Sequence, residues 1–77
     1  MVGRVRYHVH INSVFPKLRG AIAEHGDTLS VLVKELGISG YNLKRSLRGE
    51  RDFTLYEAAV LSERYGIGID ALFQCID

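Results

Sequence analysis

Residues 28–49 alternate between apolar and polar positions with the period of a helix, interrupted once by a tight turn. Thr28 is predicted to cap the first helix, because its hydroxyl can accept a hydrogen bond from an unpaired backbone N–H. Leu32 and Leu36 then recur at helical spacing. Gly37 is expected to end this helix, since it adopts the left-handed conformation at little cost.

A second helix is predicted over residues 40–47, capped by Ser39 and finished before Gly49. Leu43 and Leu47 are its clearly apolar positions and lie one turn apart. The other positions are polar or cationic. A short helix with one narrow apolar seam and a cationic remainder is suited to contact a hydrated, negatively charged partner.

One more helix is predicted before this pair. Asn12 or Ser13 would cap it, and Pro16 would fall in its first turn, where a missing N–H costs little. Gly26 would end it. Its predicted apolar stripe comprises Val14, Phe15, Leu18 and Ile22.

Two further helices are predicted after the pair. Thr54 and Glu57 have the spacing of a capping box, and Gly66 would end the helix that they begin. Phe53, just before it, is a predicted core anchor. The expected core face of this helix consists of Leu55, Ala58, Leu61, Ser62 and Tyr65. A short terminal helix that folds back on the core is predicted from Ile67, Ile69, Leu72 and Phe73.

The N-terminal stretch has a different period. Apolar and polar residues alternate strictly over residues 4–11, which is typical of a β-strand. The sequence offers no second strand to pair with it, so the stretch is disordered, packs along the helices or pairs with the same strand of a second chain; we favour the pairing. Residues 1–11 are thus an arm or strand, and residues 12–77 form the helical domain. One face of the stretch carries Val5, Tyr7, Val9 and Ile11, and the other Arg4, Arg6, His8 and His10.

Composition is typical of one small folded domain. The 77 residues are 47% hydrophobic and 25% charged, which fits a globule with a modest core. A single cysteine cannot form an internal disulfide, and neither a membrane-length apolar run nor a signal peptide is evident. We therefore expect a cytoplasmic protein.

The charges are unevenly distributed although the net charge is only +1. Residues 1–20 contain four cations and no acid, residues 41–51 contain four cations and one acid, and most acids fall in the last third. Such polarity suits a protein with one face toward DNA, and it fits an ordinary solvated surface equally well.

Catalytic and metal chemistry find no support in the sequence. His8 and His10 share a strand face but lack well-placed third and fourth ligands, and no motif places a histidine beside Cys75. Phosphate-binding glycine loops and nucleophile elbows are absent from the sequence. We expect neither an enzyme, nor a metal site, nor a cofactor.

From about Leu18 to Phe73 the chain resembles the lambda-repressor-like (Cro/repressor, XRE-type) helix-turn-helix family. Three stretches carry the resemblance: LVKELGIS, LRGERDFTLYEA and YGIGIDALF. The resemblance implies an all-α, five-helix fold and a sequence-specific regulator of transcription that binds double-stranded DNA, of the kind found in phages and mobile elements. In this chain Val33 stands where the family often has Ala.

The resemblance also implies residue roles. Ser39, Gly40, Tyr41 and Asn42 would face base edges, although Gly40 has no side chain with which to read one. Lys44 and Arg45 would contact bases or phosphates, Arg48 and Arg51 the sugar-phosphate backbone, and Thr28 would present a helix N-terminus to a phosphate.

Proteins with this motif usually read two half-sites as dimers, so a homodimeric repressor is expected. Two seams are candidates: the strand face Val5, Tyr7, Val9 and Ile11, and a helical pair, Tyr56 and Val60, one turn apart and opposite the predicted core face. The alternative hypothesis is a protein-interaction module, such as an antitoxin or an assembly factor, on the same fold.

Overall fold

The computed structural model describes residues 14–74, and this part of the chain is all-α, as predicted. The strand predicted within residues 4–11, the two histidines there and Cys75 lie outside the described residues. Within residues 14–74 there are five helices: α1 Pro16–His25, α2 Leu29–Leu36, α3 Gly40–Leu47, α4 Leu55–Tyr65 and α5 Ile69–Leu72.

The predicted N-caps of α2, α3 and α4 are confirmed. The hydroxyls of Thr28 and Ser39 each accept a hydrogen bond from a backbone N–H three residues on. Thr54 and Glu57 form a reciprocal capping box, in which each side chain accepts from the other residue's backbone N–H at 3.0–3.1 Å. Local sequence therefore fixes where these helices begin.

The start of α1 differs from the prediction. The helix begins at Pro16, and Phe15 occupies the N-cap position with φ 52° and no side-chain cap. A cap at Asn12 or Ser13 is thus wrong. Proline disfavours helical geometry in the residue before it, so the helix cannot extend back to Val14. Val14 and Phe15 nevertheless pack inward from outside the helix.

The most deeply buried part of the core contains one leucine from each helix. These five side chains are at most 1% exposed, which places the centre of the domain where all the helices meet: Leu18, Leu32, Leu43, Leu61 and Leu72. Three aromatic rings pack edge to face or tilted beside them, with centroids 5.1–5.7 Å apart: Phe15, Phe53 and Phe73. Phe53 and the terminal helix therefore pack against the core as predicted.

Two predictions on α4 are wrong. Leu55 is 78% exposed rather than buried, because it is the first residue of the helix and projects beyond the edge of the core. Val60, predicted to lie on an exposed apolar face with Tyr56, is half-buried and packs against the core. Tyr56 alone is exposed, at 66%, so the proposed Tyr56/Val60 seam is not a continuous surface.

An ionic cluster fastens the α1–α2 loop to the end of α4. Asp27 accepts two hydrogen bonds from the Arg64 guanidinium, at 2.8 and 2.9 Å, and one from the Tyr65 hydroxyl at 2.7 Å. Glu35 of α2 lies 3.7 Å from the same guanidinium. These hydrogen bonds, from Arg64 first, hold the pKa of Asp27 well below its usual range.

The depressed pKa predicts a specific loss of stability in acid. A carboxylate with a lowered folded-state pKa contributes stability above its unfolded pKa of about 3.9, and the contribution declines as pH falls below that value. Urea melts should therefore show that Asp27→Asn is less stable than the parent at pH 5–6, with a gap that narrows from about pH 4 downward. Asp70→Asn removes an exposed carboxylate with no ion pair among residues 14–74, and should stay close to the parent throughout. A difference in the free energy of unfolding between Asp27→Asn and the parent that did not change with pH would contradict this account.

Candidate nucleic-acid interface

Helices α2 and α3 are joined by three residues, Gly37 to Ser39, and pack directly on each other. Gly37 takes the left-handed conformation with φ 68°, and Ile38 lies half-buried against the core. At the crossing, a Cβ built on Gly40 would lie 4.0 Å from a Val33 methyl group. Val33 on α2 thus faces Gly40 on α3. Because Gly40 has no side chain, the bulkier Val33 fits at the crossing at van der Waals distance.

Helix α3 has one buried face and one outward cationic face. Leu43, Ser46 and Leu47 are buried. The outward positions follow the spacing i, i+3, i+4 and i+7, which places them side by side on one face; they are Tyr41, Lys44, Arg45 and Arg48. We call these four residues the α3 outer face.

Tyr41 and Arg45 hold each other on this face. Tyr41 is 71% exposed, and the guanidinium carbon of Arg45 lies 5.6 Å from the centre of its ring, within cation–π range. Arg45 also donates a hydrogen bond to the Glu50 carbonyl at 3.2 Å. The guanidinium is therefore held by two contacts, and the Arg45 residue as a whole is half-buried.

Arg48 is paired with a neighbouring acid. Its guanidinium donates two hydrogen bonds to the Glu50 carboxylate, both at 3.1 Å, and both side chains are about half exposed. The Arg48 guanidinium lowers the pKa of Glu50, and the Glu50 carboxylate raises the pKa of Arg48. Lys44 has no ion pair among residues 14–74, so it is the more available cation of the two.

Arg51, predicted to contact a DNA backbone, faces the protein instead. Its guanidinium makes two hydrogen bonds of 3.1 Å to the Glu57 carboxylate and one of 2.8 Å to the Ser46 hydroxyl. Ser46 is fully buried and Glu57 is 3% exposed. The hydrogen bonds from Arg51 hold the pKa of Glu57 below its usual range. The backbone-contact prediction for Arg51 is therefore corrected: its role is to join α3 to α4.

The C-terminal end of α3 is held by a second arginine. Arg19 of α1 donates to the carbonyl of Leu47 at 2.7 Å and to that of Val14 at 3.2 Å. The Leu47 carbonyl belongs to the last turn of α3, where carbonyls lack partners within the helix. Arg19 thereby satisfies one of these groups and fixes the end of α3 against α1.

The remaining predicted contact residues lie at helix starts. Ser39 is exposed at the beginning of α3, while Gly40 and Asn42 in its first turn are half-buried. Thr28 is exposed at the beginning of α2. Thr28 and Ser39 therefore cap two successive helices, and both are accessible to a partner.

Sequence reasoning missed the residues that hold α3 in place. Arg19 appeared only as one of several N-terminal cations, and Ser46 as one of the polar positions of α3. Glu57 was recognised as a helix cap but not as the partner of Arg51. One signal for the Arg51–Glu57 pair was available in the sequence. A basic and an acidic residue, Arg51 and Glu57, lie on either side of the helix cap Thr54 and are six positions apart.

No family model, curated protein or solved structure was found to match this chain. Across residues 14–74, no helix is both long and apolar enough to cross a membrane. No cluster of three or more potential metal ligands occurs in that same part of the chain.

Proposed function

We propose that this protein is a sequence-specific regulator of transcription that binds double-stranded DNA and acts as a repressor, with the lambda-repressor-like helix-turn-helix arrangement that its sequence resembles. The α3 outer face is the observation that carries the proposal. Four side chains project from one side of a helix whose other side is buried, and three of them are cationic. A helix of this kind can enter the major groove with its polar side toward the base edges.

Within the α3 outer face we assign different roles to the cations. Arg45, held by Tyr41, is the candidate for a bidentate contact to guanine, and Asn42 in the first turn is the candidate for adenine. Lys44 and Arg48 are assigned to phosphates, which they can reach without strict geometry. Arg51 has no place in this scheme because three of its five N–H donors are already bonded to Glu57 and Ser46.

Selection of binding sites from randomised duplexes, at an ionic strength of about 0.1 M, tests the proposal. We expect a consensus with two symmetric half-sites about one helical turn apart, as a dimer requires. A single asymmetric site would support sequence-specific DNA binding and would contradict the dimer. Failure to enrich any sequence, with the parent protein folded, would overturn the proposal.

A protein-interaction module is the second candidate, and exposed apolar side chains favour it. Leu55 and Tyr56 at the start of α4 are largely exposed, and Ile69 of α5 is 36% exposed. Retention on heparin at low salt distinguishes the two functions, since a DNA reader binds a polyanion and releases it as salt rises. A module that binds only protein passes through the column.

Removal of the Glu50 carboxylate should strengthen DNA binding. Glu50 holds Arg48 and places a negative charge beside the α3 outer face, so a phosphate must compete with it. We expect Glu50→Gln to raise affinity about threefold at low salt, with a smaller gain at high salt. Glu63→Gln on α4 changes the net charge equally, and fluorescence anisotropy should show little effect from it. Equal gains for both variants would mean that net charge alone is responsible.

A further inference from the structure

An apolar groove lies between the start of α4 and the C-terminal end of the described chain. Its volume is about 490 Å³, within the range of cavities that hold a sizeable ligand. The lining is predominantly apolar, with Asp52 and Thr54 as its polar members: Phe15, Asp52, Phe53, Thr54, Leu55, Ala58, Ile69 and Phe73. Two of these apolar side chains, Leu55 and Ile69, are 78% and 36% exposed. The groove thus presents apolar surface that residues 14–74 leave uncovered.

The N-terminal segment enters the described domain at this groove. Phe15 is part of the lining, while Val14 before it is buried outside the lining, with its methyl groups 3.4 and 3.5 Å from a Cβ built on Gly49. Ile11 is four residues from Phe15, so the chain can place it no more than about 14 Å away. The segment is thus tethered directly beside the uncovered surface.

The segment has the pattern that such a groove accepts. In an extended conformation, alternate residues lie on the same side, and Tyr7, Val9 and Ile11 are all apolar. The residues between them are His8 and His10, and Arg6 directly precedes Tyr7. Arginine side chains are long enough to bring a guanidinium toward a carboxylate at the rim of the groove, and Asp52 supplies one.

We propose that residues 5–11 dock in this groove of their own chain, with Tyr7, Val9 and Ile11 covering Leu55 and Ile69. Docking within one chain is favoured over docking on a second copy by the short tether, since a short linker gives an effective concentration in the millimolar range. Residues 5–11 would then complete the core beside the three phenylalanines. They would not form the seam of a dimer.

Photo-crosslinking in the full chain tests this docking. Benzoylphenylalanine replaces Tyr7 in one variant and His8 in a second, which places the probe on the other side of the segment. An equimolar mixture of unlabelled and ¹⁵N-labelled protein is irradiated without DNA, and the cross-linked peptides are identified by mass spectrometry. We expect the probe at position 7 to join peptides that contain Leu55 or Ile69, with a single isotope label in each product.

Exposed substitutions supply the matched controls. Leu55→Asp should lower the cross-link yield from position 7 about tenfold, because it removes the contact of one large apolar side chain. Tyr56 is largely exposed, like Leu55, but lies outside the groove lining. Tyr56→Asp should therefore leave the cross-link yield unchanged. Circular dichroism verifies that both variants are folded.

Three outcomes would overturn the docking: equal yields from positions 7 and 8, products that carry both isotope labels, and products located on α3. The second would assign the groove to another copy of the chain. Because the measurement is made without DNA, the first two of these results do not bear on the reading role of α3.

Discussion

Glu57→Gln should lower the free energy of unfolding by about 2 kcal/mol, because it breaks an ion pair in which Glu57 is only 3% exposed. The glutamine can still accept the capping hydrogen bond from the Thr54 N–H, so the variant removes mainly the charge. It leaves the Arg51 guanidinium, which is only 21% exposed, without its carboxylate. Removal of one member of a buried ion pair is costly because the other charge stays desolvated. For a domain of this size the expected fall in Tm is about 8–16 °C.

Thermal and urea unfolding at pH 7 measure this effect, and Glu50→Gln is the matched control. Both substitutions remove one carboxylate from an arginine that it holds by two hydrogen bonds. The Arg48–Glu50 pair is about half exposed, so solvent screens it and its loss should change Tm little. Similar Tm values for the two variants would show that burial does not strengthen the Arg51–Glu57 pair.

A double variant separates the pair from its surroundings. Arg51→Leu combined with Glu57→Gln leaves no unpaired charge, so its destabilisation should be smaller than the sum of the two single changes. An additive result would mean that the residues act independently, which the hydrogen-bond distances of 3.1 Å argue against.

Except for the start of α1, the helix boundaries could be predicted from sequence because they depend on neighbouring residues. Thr28, Ser39 and Thr54 accept hydrogen bonds from residues three positions away, and Gly26, Gly37 and Gly66 take the left-handed conformation immediately after a helix. These interactions are complete within a single turn. Their outcome does not depend on how the helices pack.

Apart from the start of α1, the errors concern contacts that only the packed structure creates. Leu55 has the periodic position of a core residue, yet the core ends before it reaches that side chain. Arg51 has the sequence position of a backbone-contacting cation, yet Glu57 lies close enough to capture it. Periodicity indicates which face of a helix is apolar, but not how far the neighbouring elements extend over it.

For the candidate interface, sequence indicated which residues lie on α3 but not which of them are free. Tyr41, Lys44 and Arg48 are exposed and Arg45 is half-buried, so all four reach the surface that a contact requires. The structure adds that Arg45 is held by Tyr41 and that Arg48 is paired with Glu50. This difference in environment leads us to expect different binding behaviour from the two arginines.

Arg45→Ala should weaken binding to the selected DNA site about tenfold to a hundredfold, because a bidentate contact to a base contributes about 1–3 kcal/mol of discrimination. The same substitution should weaken binding to random duplex less, since only the charge is lost there. The stacking of Arg45 on Tyr41 predicts a related result: Tyr41→Ala, which keeps the cation but releases it, should also lose affinity mainly for the selected site.

Arg48→Ala is the matched control for Arg45→Ala. It removes the same positive charge from the same face of α3, but its side chain is assigned to a phosphate. Electrophoretic shifts with the selected site and with random duplex should therefore weaken to a similar degree, and the dependence of log affinity on log salt should become shallower by about one phosphate contact. If Arg48→Ala impaired the selected site preferentially while Arg45→Ala impaired both DNAs equally, the roles assigned to the two arginines would have to be exchanged.

A double variant separates the two effects of Glu50, because Arg48 can bind a phosphate only after it is released from Glu50. In the combined Glu50→Gln and Arg48→Ala variant, no affinity can be gained through Arg48. Any gain in affinity over Arg48→Ala alone would therefore measure the repulsion between the Glu50 carboxylate and the phosphates.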